Sequence, residues 1–237
     1  RRVLFRSKIL ALETSAKAVS AAITENGVVL ASGYQDTGLT HSRTLMPIVK
    51  HLFQNTGIAP QELDAVAVAV GPGSFTGIRI GVSAAKGLAF SLDKPAAVST
   101  LAAMARNAAF AGGLILCAMD ARRGQIYNAV FSAEGGVLTR LTPDRAISLA
   151  ELAEELRPDA RPKIAVGDGA RLCADFLNQT GIPCQLAPPH LMMQNAMSVA
   201  LEAEALALEG RLVDAQALLP VYLRPPQAER LRKAERR

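Results

Sequence analysis

Along the first third of the chain, apolar and polar positions alternate with a period that changes at each turn. Residues 8–12 and 18–24 are apolar runs of strand length separated by the polar turn Glu13-Thr14-Ser15. Asn26-Gly27 marks a two-residue type I′ hairpin into a third strand at 28–34, so these strands form an antiparallel meander. After a loop, Ile48, Val49, Leu52 and Phe53 fall on one side of a helix with Ser42 as its N-cap and Gly57 as its stop. In 65–70, Val66, Val68 and Val70 alternate with alanines, the pattern of a strand covered on both faces. Beyond Gly71-Pro72-Gly73-Ser74 the period becomes helical: Ile78, Val82, Ala85 and Ala89 recur. A second row, Gly77, Gly81, Ala84 and Ala85, is almost free of side chains.

The second half repeats this order. A helix at 101–110 leads to strands at 114–119, 125–131 and 137–141, a helix at 148–156, a strand at 163–166 and a helix at 170–179. A helix at 195–208 and a strand at 219–223 close the chain. Three strands, helix, strand, helix, occurring twice, predict a duplicated α/β fold with one mixed sheet per half. The division is 8–100 for the first subdomain and 101–224 for a second, reduced one, with basic tails at 1–7 and 225–237.

Each glycine inside a helix costs about 1 kcal/mol relative to alanine, so Gly77 and Gly81 imply a close approach. Both a partner's helix and the protein's own sheet fit that requirement. The turn before the helix also invites an anion, because backbone N–H groups are free at a helix start. Its spacing matches no common phosphate motif. Thr76 stands where a dinucleotide fingerprint needs glycine, and Ile78-Arg79 stand where a P-loop needs Lys and Ser or Thr. Ser74 lacks the Gly-x-Ser-x-Gly frame of a nucleophile elbow.

Half of the 237 residues are hydrophobic, enough for a sizeable core. The net charge of +5 divides into +8 on residues 1–8 and 221–237 and −3 on the body, a pattern of solvated ends rather than a nucleic-acid surface. No apolar run approaches the roughly 18 residues of a membrane span. Cys117, Cys173 and Cys184 are scattered and odd in number, which suits free thiols, so a cytoplasmic location is expected. The three histidines His41, His51 and His190 offer little to a metal. Asp64, Asp120 and Asp168 at strand edges do not make a two-metal nuclease, because that chemistry needs a carboxylate on the first strand and 9–12 is wholly apolar.

Five motifs carry a resemblance. Glu13-Thr14-Ser15, His41-Ser42 with Pro47, the run from Gly71-Pro72-Gly73-Ser74-Phe75-Thr76-Gly77 through Ile78-Arg79-Ile80-Gly81, Asp120-Ala121-Arg122-Arg123-Gly124-Gln125-Ile126-Tyr127 and Pro220-Val221-Tyr222-Leu223-Arg224 together resemble the bacterial TsaB (YeaZ) family over residues 8–224. Glu13 departs from the aspartate usual there. The resemblance implies a ribonuclease H-like fold of the actin, hexokinase and Hsp70 superfamily. It also implies a non-catalytic role in forming N6-threonylcarbamoyladenosine at position 37 of tRNAs reading codons that start with A. The implied partners are a TsaD-type catalytic subunit and a TsaE-type ATPase, with tRNA met indirectly and a homodimer when the chain is alone. No cofactor and no metal are implied. Glu13, Thr14 and Ser15 remain weak candidates for a nucleotide phosphate. The expected partner interface is Phe75, Gly77, Ile78, Gly81, Val82, Ala84 and Ala85, with Leu45 and Val49 from the preceding helix.

The residues agree with that role. The catalytic paralogue's His-x-x-x-His pair is reduced to His41 with Leu45 four positions on, and Arg122 and Arg123 replace the small residues of a second phosphate turn. A small-molecule kinase or glycoprotease-like peptidase of the same superfamily is the alternative.

Overall fold

The computed structural model describes residues 7–90 and 95–224. The chain opens with β1 (Lys8–Glu13), β2 (Val19–Glu25) and β3 (Val28–Gln35), followed by α1 (His41–Thr56), β4 (Ala65–Gly71), α2 (Phe75–Ala89) and β5 (Pro95–Ser99). Asn26 and Gly27 both have positive φ, 51° and 76°, as a type I′ turn requires. The second half runs α3 (Thr100–Arg106), β6 (Gly113–Asp120), β7 (Gln125–Glu134), β8 (Val137–Arg140), β9 (Arg145–Ser148), α4 (Leu149–Leu156), β10 (Lys163–Val166), α5 (Ala170–Gln179), β11 (Gln185–Leu186), α6 (Pro189–Met192) and α7 (Ala196–Leu208).

The two sheets have the same plan. The first is ordered β3-β2-β1-β4-β5 and the second β11-β10-β6-β7-β8, with β9 added beside β7. In each, the central strand has an antiparallel neighbour from its own hairpin and a parallel neighbour reached through helices: β1 between β2 and β4, β6 between β7 and β10. This is the duplicated ribonuclease H-like fold with two mixed sheets and flanking helices.

The Val/Ala alternation of β4 sorts two unlike layers. Val66, Val68 and Val70 point with Leu10 and Leu12 toward α1 and α2, where Leu45, Ile48, Val49, Leu52, Ile78 and Val82 complete the core. On the opposite face Ala65, Ala67, Ala69 and Ala96 meet Ala196, Val199, Ala200 and Ala203 of α7. Small residues on both sides let that helix lie close to the sheet. In the second half Leu114 and Leu116 face α4 and α5, while Ile115, Cys117 and Met119 face Leu101 and Met104 of α3. The neighbours α3 and α7 therefore fill the space between the sheets, tied by the Arg106–Glu202 ion pair at 2.7 Å.

Several boundaries differ from the pattern-based reading. Thr40, not Ser42, is the N-cap of α1, and no side chain caps it, because the Thr44 hydroxyl bonds back to the Thr40 carbonyl instead. The helix expected over 101–110 ends at Arg106. No strand forms at 219–223: Pro220 lacks an N–H, and the segment makes a single strand-like bond, Val221 N–H to Val70 O at 2.8 Å. β9, β11 and α6 are too short to carry a period. Helix α7, by order part of the second half, packs on the first sheet. Ser7, placed with the tail, is buried and donates to Glu204 Oε1 at 3.0 Å. The basic tails at 1–6 and 225–237 lie outside the described residues.

Candidate functional site

The turn between β1 and β2 and the turn between β4 and α2 meet edge to edge. Ser74 caps α2 with its hydroxyl, which accepts from Gly77 N–H at 3.2 Å, and its own N–H donates to Ser15 O at 2.6 Å. The Thr14 hydroxyl donates to Gly77 O at 2.8 Å. A methyl group on Gly73 would strike Ser15 O, one on Gly77 would strike Thr14 O, and one on Gly81 would strike the Thr14 hydroxyl. The glycine row therefore serves the protein's own interior: α2 lies against the Glu13–Thr14–Ser15 corner at a distance only glycine permits.

That contact corrects the expected partner interface. Gly77, Ile78, Gly81, Val82 and Ala85 on α2, and Leu45 and Val49 on α1, are all buried within the chain. Of the expected set only Ala84 and Phe75 reach the surface, both half-buried. The outward face of the two helices is instead made by Met46 and Lys50 on α1 and Ser83, Ala84 and Gly87 on α2, with Phe53, Ile80 and Leu88 half-buried beneath them. A methyl group at Gly87 would meet nothing.

The corner itself is occupied by a carboxyl group. Glu13 is 1% exposed, its Oε1 accepts the Ser15 N–H at 2.5 Å, and the Thr14 N–H turns toward it as well. These backbone donors are among those an anion at this turn would use, and here the Glu13 carboxyl accepts from them. Burial pushes its carboxyl up to about 7, against the bond from the Ser15 N–H, and the nearby Asp168 raises it further. Glu13 Oε2 and the Ser15 hydroxyl have no protein partner. Asp168, whose charge acts on Glu13, accepts from Gln194 Nε2 at 3.0 Å. It is also raised, by desolvation first, an effect that its exposure at the rim keeps small.

The turn between β6 and β7 carries the next candidates. Arg122 and Arg123 both hold positive φ, 66° and 58°, followed by Gly124 at 69°. Asp120 Oδ1 accepts the Arg122 N–H at 2.7 Å. The remaining candidates are dispersed. Asp64 accepts the Lys8 N–H at 2.8 Å and closes a strand end. His41 shares a 2.9 Å hydrogen bond between its Nε2 and Ala16 O, while His51 and His190 stand exposed on α1 and α6. Among the described residues no three His, Cys, Asp or Glu side chains converge as metal ligands. Burial raises all three thiols, Cys173 to about 12 and Cys184 to about 11, which leaves them inert.

One grouping had no signal in any single stretch. Phe75 stacks on Tyr222 with centroids 4.8 Å apart, the Arg79 guanidinium lies 3.9 Å over Phe75, and Arg79 Nε donates to the Tyr222 hydroxyl at 2.9 Å. The chain's end is thereby strapped across α2.

The chain is similar to known proteins. A family model for TsaD, tRNA N6-adenosine threonylcarbamoyltransferase, matches residues 35–224. The tRNA threonylcarbamoyladenosine biosynthesis protein TsaB of Bacillus subtilis is 36% identical over 226 residues, 93% of this chain and 96% of that protein. The chain belongs to the TsaB family. The Escherichia coli TsaB is 30% identical over 92% of this chain and 94% of its own length. The YeaZ structure from Pseudomonas aeruginosa superposes with a TM-score of 0.79 at 30% identity, covering 92% of this chain and all of that one. Within the TsaB family, this chain's buried corner and glycine-packed α2 are features of the fold's interior, and its surface features are the outer α1–α2 face and the arginine-bearing strap.

Proposed function

We propose that this chain is the non-catalytic partner subunit of a TsaD-type threonylcarbamoyltransferase, supporting the formation of N6-threonylcarbamoyladenosine in tRNAs that read codons starting with A. The observation that supports this reading is the buried Glu13 carboxyl, which accepts the Ser15 N–H inside the first phosphate turn, where a bound phosphate would compete for that donor. The contact face for the catalytic subunit is the outer surface of α1 and α2, where Met46, Phe53, Ile80, Ala84 and Leu88 bring apolar side chains to or near solvent. The same face serves a second copy of the chain when it is alone, and a TsaE-type ATPase joins the assembled pair.

The test is co-purification with the TsaD-type subunit of the same organism. Met46→Asp and Ala84→Arg should each weaken the complex about 5- to 150-fold, the effect of 1–3 kcal/mol at a close contact. Neither should lower the melting temperature of the isolated chain. A complex that survives both changes moves the contact off α1 and α2. Failure of the unaltered chain to bind any TsaD-type subunit, with ATP bound tightly by the chain alone, ends the reading.

A further inference from the structure

The strap at the end of the chain gathers positive charge from both halves of the molecule. Arg79 projects from α2, held by Phe75 and Tyr222 as described. Two residues further along, Arg224 Nη1 donates to Ala121 O at 2.9 Å and its guanidinium lies 5.9 Å from the Tyr127 ring centroid. Ala121 is followed immediately by Arg122 and Arg123 on the exposed hairpin turn. Contacts link Arg79 to Tyr222 and Arg224 to Ala121, and the chain itself joins Tyr222 to Arg224 and Ala121 to Arg122 and Arg123.

None of the four arginines forms an ion pair with a carboxylate among the described residues. Two carboxylates stand close: Asp120, which accepts the backbone N–H of Arg122, and Asp168, whose charge the Arg122 guanidinium favours. Arg122 and Arg123 are non-glycine residues in the left-handed region, which few side chains adopt. The chain then continues from Arg224 into residues 225–237, which hold five basic and two acidic residues.

We propose that this surface docks the sugar-phosphate backbone of RNA, and that through it the chain contributes directly to holding tRNA for the reaction its family serves. The proposal rests on the partner-subunit reading and extends it, because that reading brings tRNA only to the catalytic subunit. Planar guanidiniums fixed by aromatic faces and by a main-chain carbonyl are suited to phosphate oxygens. An acidic protein would also fit the charge, and Leu219, Val221 and Tyr222 are exposed along the strap, but guanidiniums held in place by an aromatic face and a main-chain carbonyl suit phosphate oxygens, and a protein partner is an outcome of the test. The aromatics act by fixing the guanidiniums.

The experiment measures binding of a fluorescently labelled, unmodified tRNA transcript to the full-length chain, and to its complex with the TsaD-type subunit, across a salt series. The double variant Arg122→Asn with Arg123→Asn removes both charges and keeps residues that tolerate positive φ. It should bind tRNA about tenfold or more weakly near 0.1 M salt, and the slope of log affinity against log salt should shrink by about 2, one per lost phosphate contact. Arg122→Lys with Arg123→Lys should restore most of the affinity. Arg157→Asn with Arg171→Asn, an equal loss of charge at two exposed positions of the second half, one just past α4 and one in α5, should leave the slope nearly unchanged. Three outcomes overturn the proposal: equal losses from both asparagine pairs, unchanged tRNA binding with loss of a protein partner, or unchanged tRNA binding with loss of ATP binding measured on the same variants. Co-purification of the Arg122/Arg123 variants with the TsaD-type subunit is read in parallel. Its persistence separates a failed RNA surface from a failed partner-subunit reading.

Discussion

Glu13 is where a single side chain decides what a turn can do. Its carboxyl has its ordinary value near 4.5 in the unfolded chain and about 7 in the folded one. Between those values the folded state binds more protons, so this group's contribution falls as pH rises from 4.5 to 7 and is level above, with a slope of at most about 1.4 kcal/mol per pH unit. Glu13→Gln should remove that slope, so that urea midpoints of variant and parent, compared at pH 5 and pH 7.5, diverge in the variant's favour at the higher pH. Parallel curves would mean the carboxyl does not titrate there. The glycines offer a second test at this scale. Gly77→Ala forces a methyl group against the Thr14 carbonyl and should lower stability by about 1–3 kcal/mol, whereas Gly87→Ala, on the open side of the same helix, should raise it by roughly 0.5–1 kcal/mol. Gly81→Leu, which an outward glycine row would tolerate, should destabilise the isolated chain severely.

At the level of elements, what was legible in the sequence followed from strength of pattern. β10 and α5 begin and end where the apolar run, the helical period and the flanking turn residues place them, because β10 is a strand covered on both faces and α5 a helix with one buried side. β9 has four residues and one fully buried side chain, Ile147, too little for an alternation to show. The apolar run at 219–223 has strand composition, but its pairing edge is interrupted by proline. Periodicity identified the small-residue row on α2 without saying which way it turned, because Gly77 and Ile78 are neighbours and both are buried. The phosphate turn was ambiguous for a similar reason: only coordinates show that the Glu13 carboxyl takes the backbone donors. Caps give a direct check. Ser148 caps α4 in a capping box, its hydroxyl accepting from Glu151 N–H at 3.2 Å, so Ser148→Ala should cost about 1 kcal/mol in thermal unfolding. Ser42→Ala, at a position that caps nothing, should cost only a few tenths.

Over the whole molecule, duplication is visible in the order of elements because each half must build the same sheet from the same hairpin and crossovers. The layer between the sheets is not visible in that way, since α3 and α7 are nearly ninety residues apart and carry no complementary motif. That layer makes the two halves one folding unit. A chain ending at residue 194 keeps every strand but loses α7, and it should fail to unfold cooperatively, with the alanine face of β1 and β4 open to dyes that report exposed apolar surface. Two separate transitions in the full-length chain would contradict this.

The late position of α7 also matters during synthesis. The first sheet has all its strands once residue 99 has been added, yet the helix that covers one of its faces is complete only at residue 208. At about 5–20 residues per second, the ribosome needs roughly 5–20 s to supply it. For that interval the nascent chain presents a bare wall to the crowded solution around it. The wall is built mainly of alanines, Ala11, Ala22, Ala65, Ala67, Ala69 and Ala96, the apolar residue with the least surface to attract a stray neighbour. Exchanging them for valines would thicken the packing layer and lengthen the list of wrong partners a half-made protein can find.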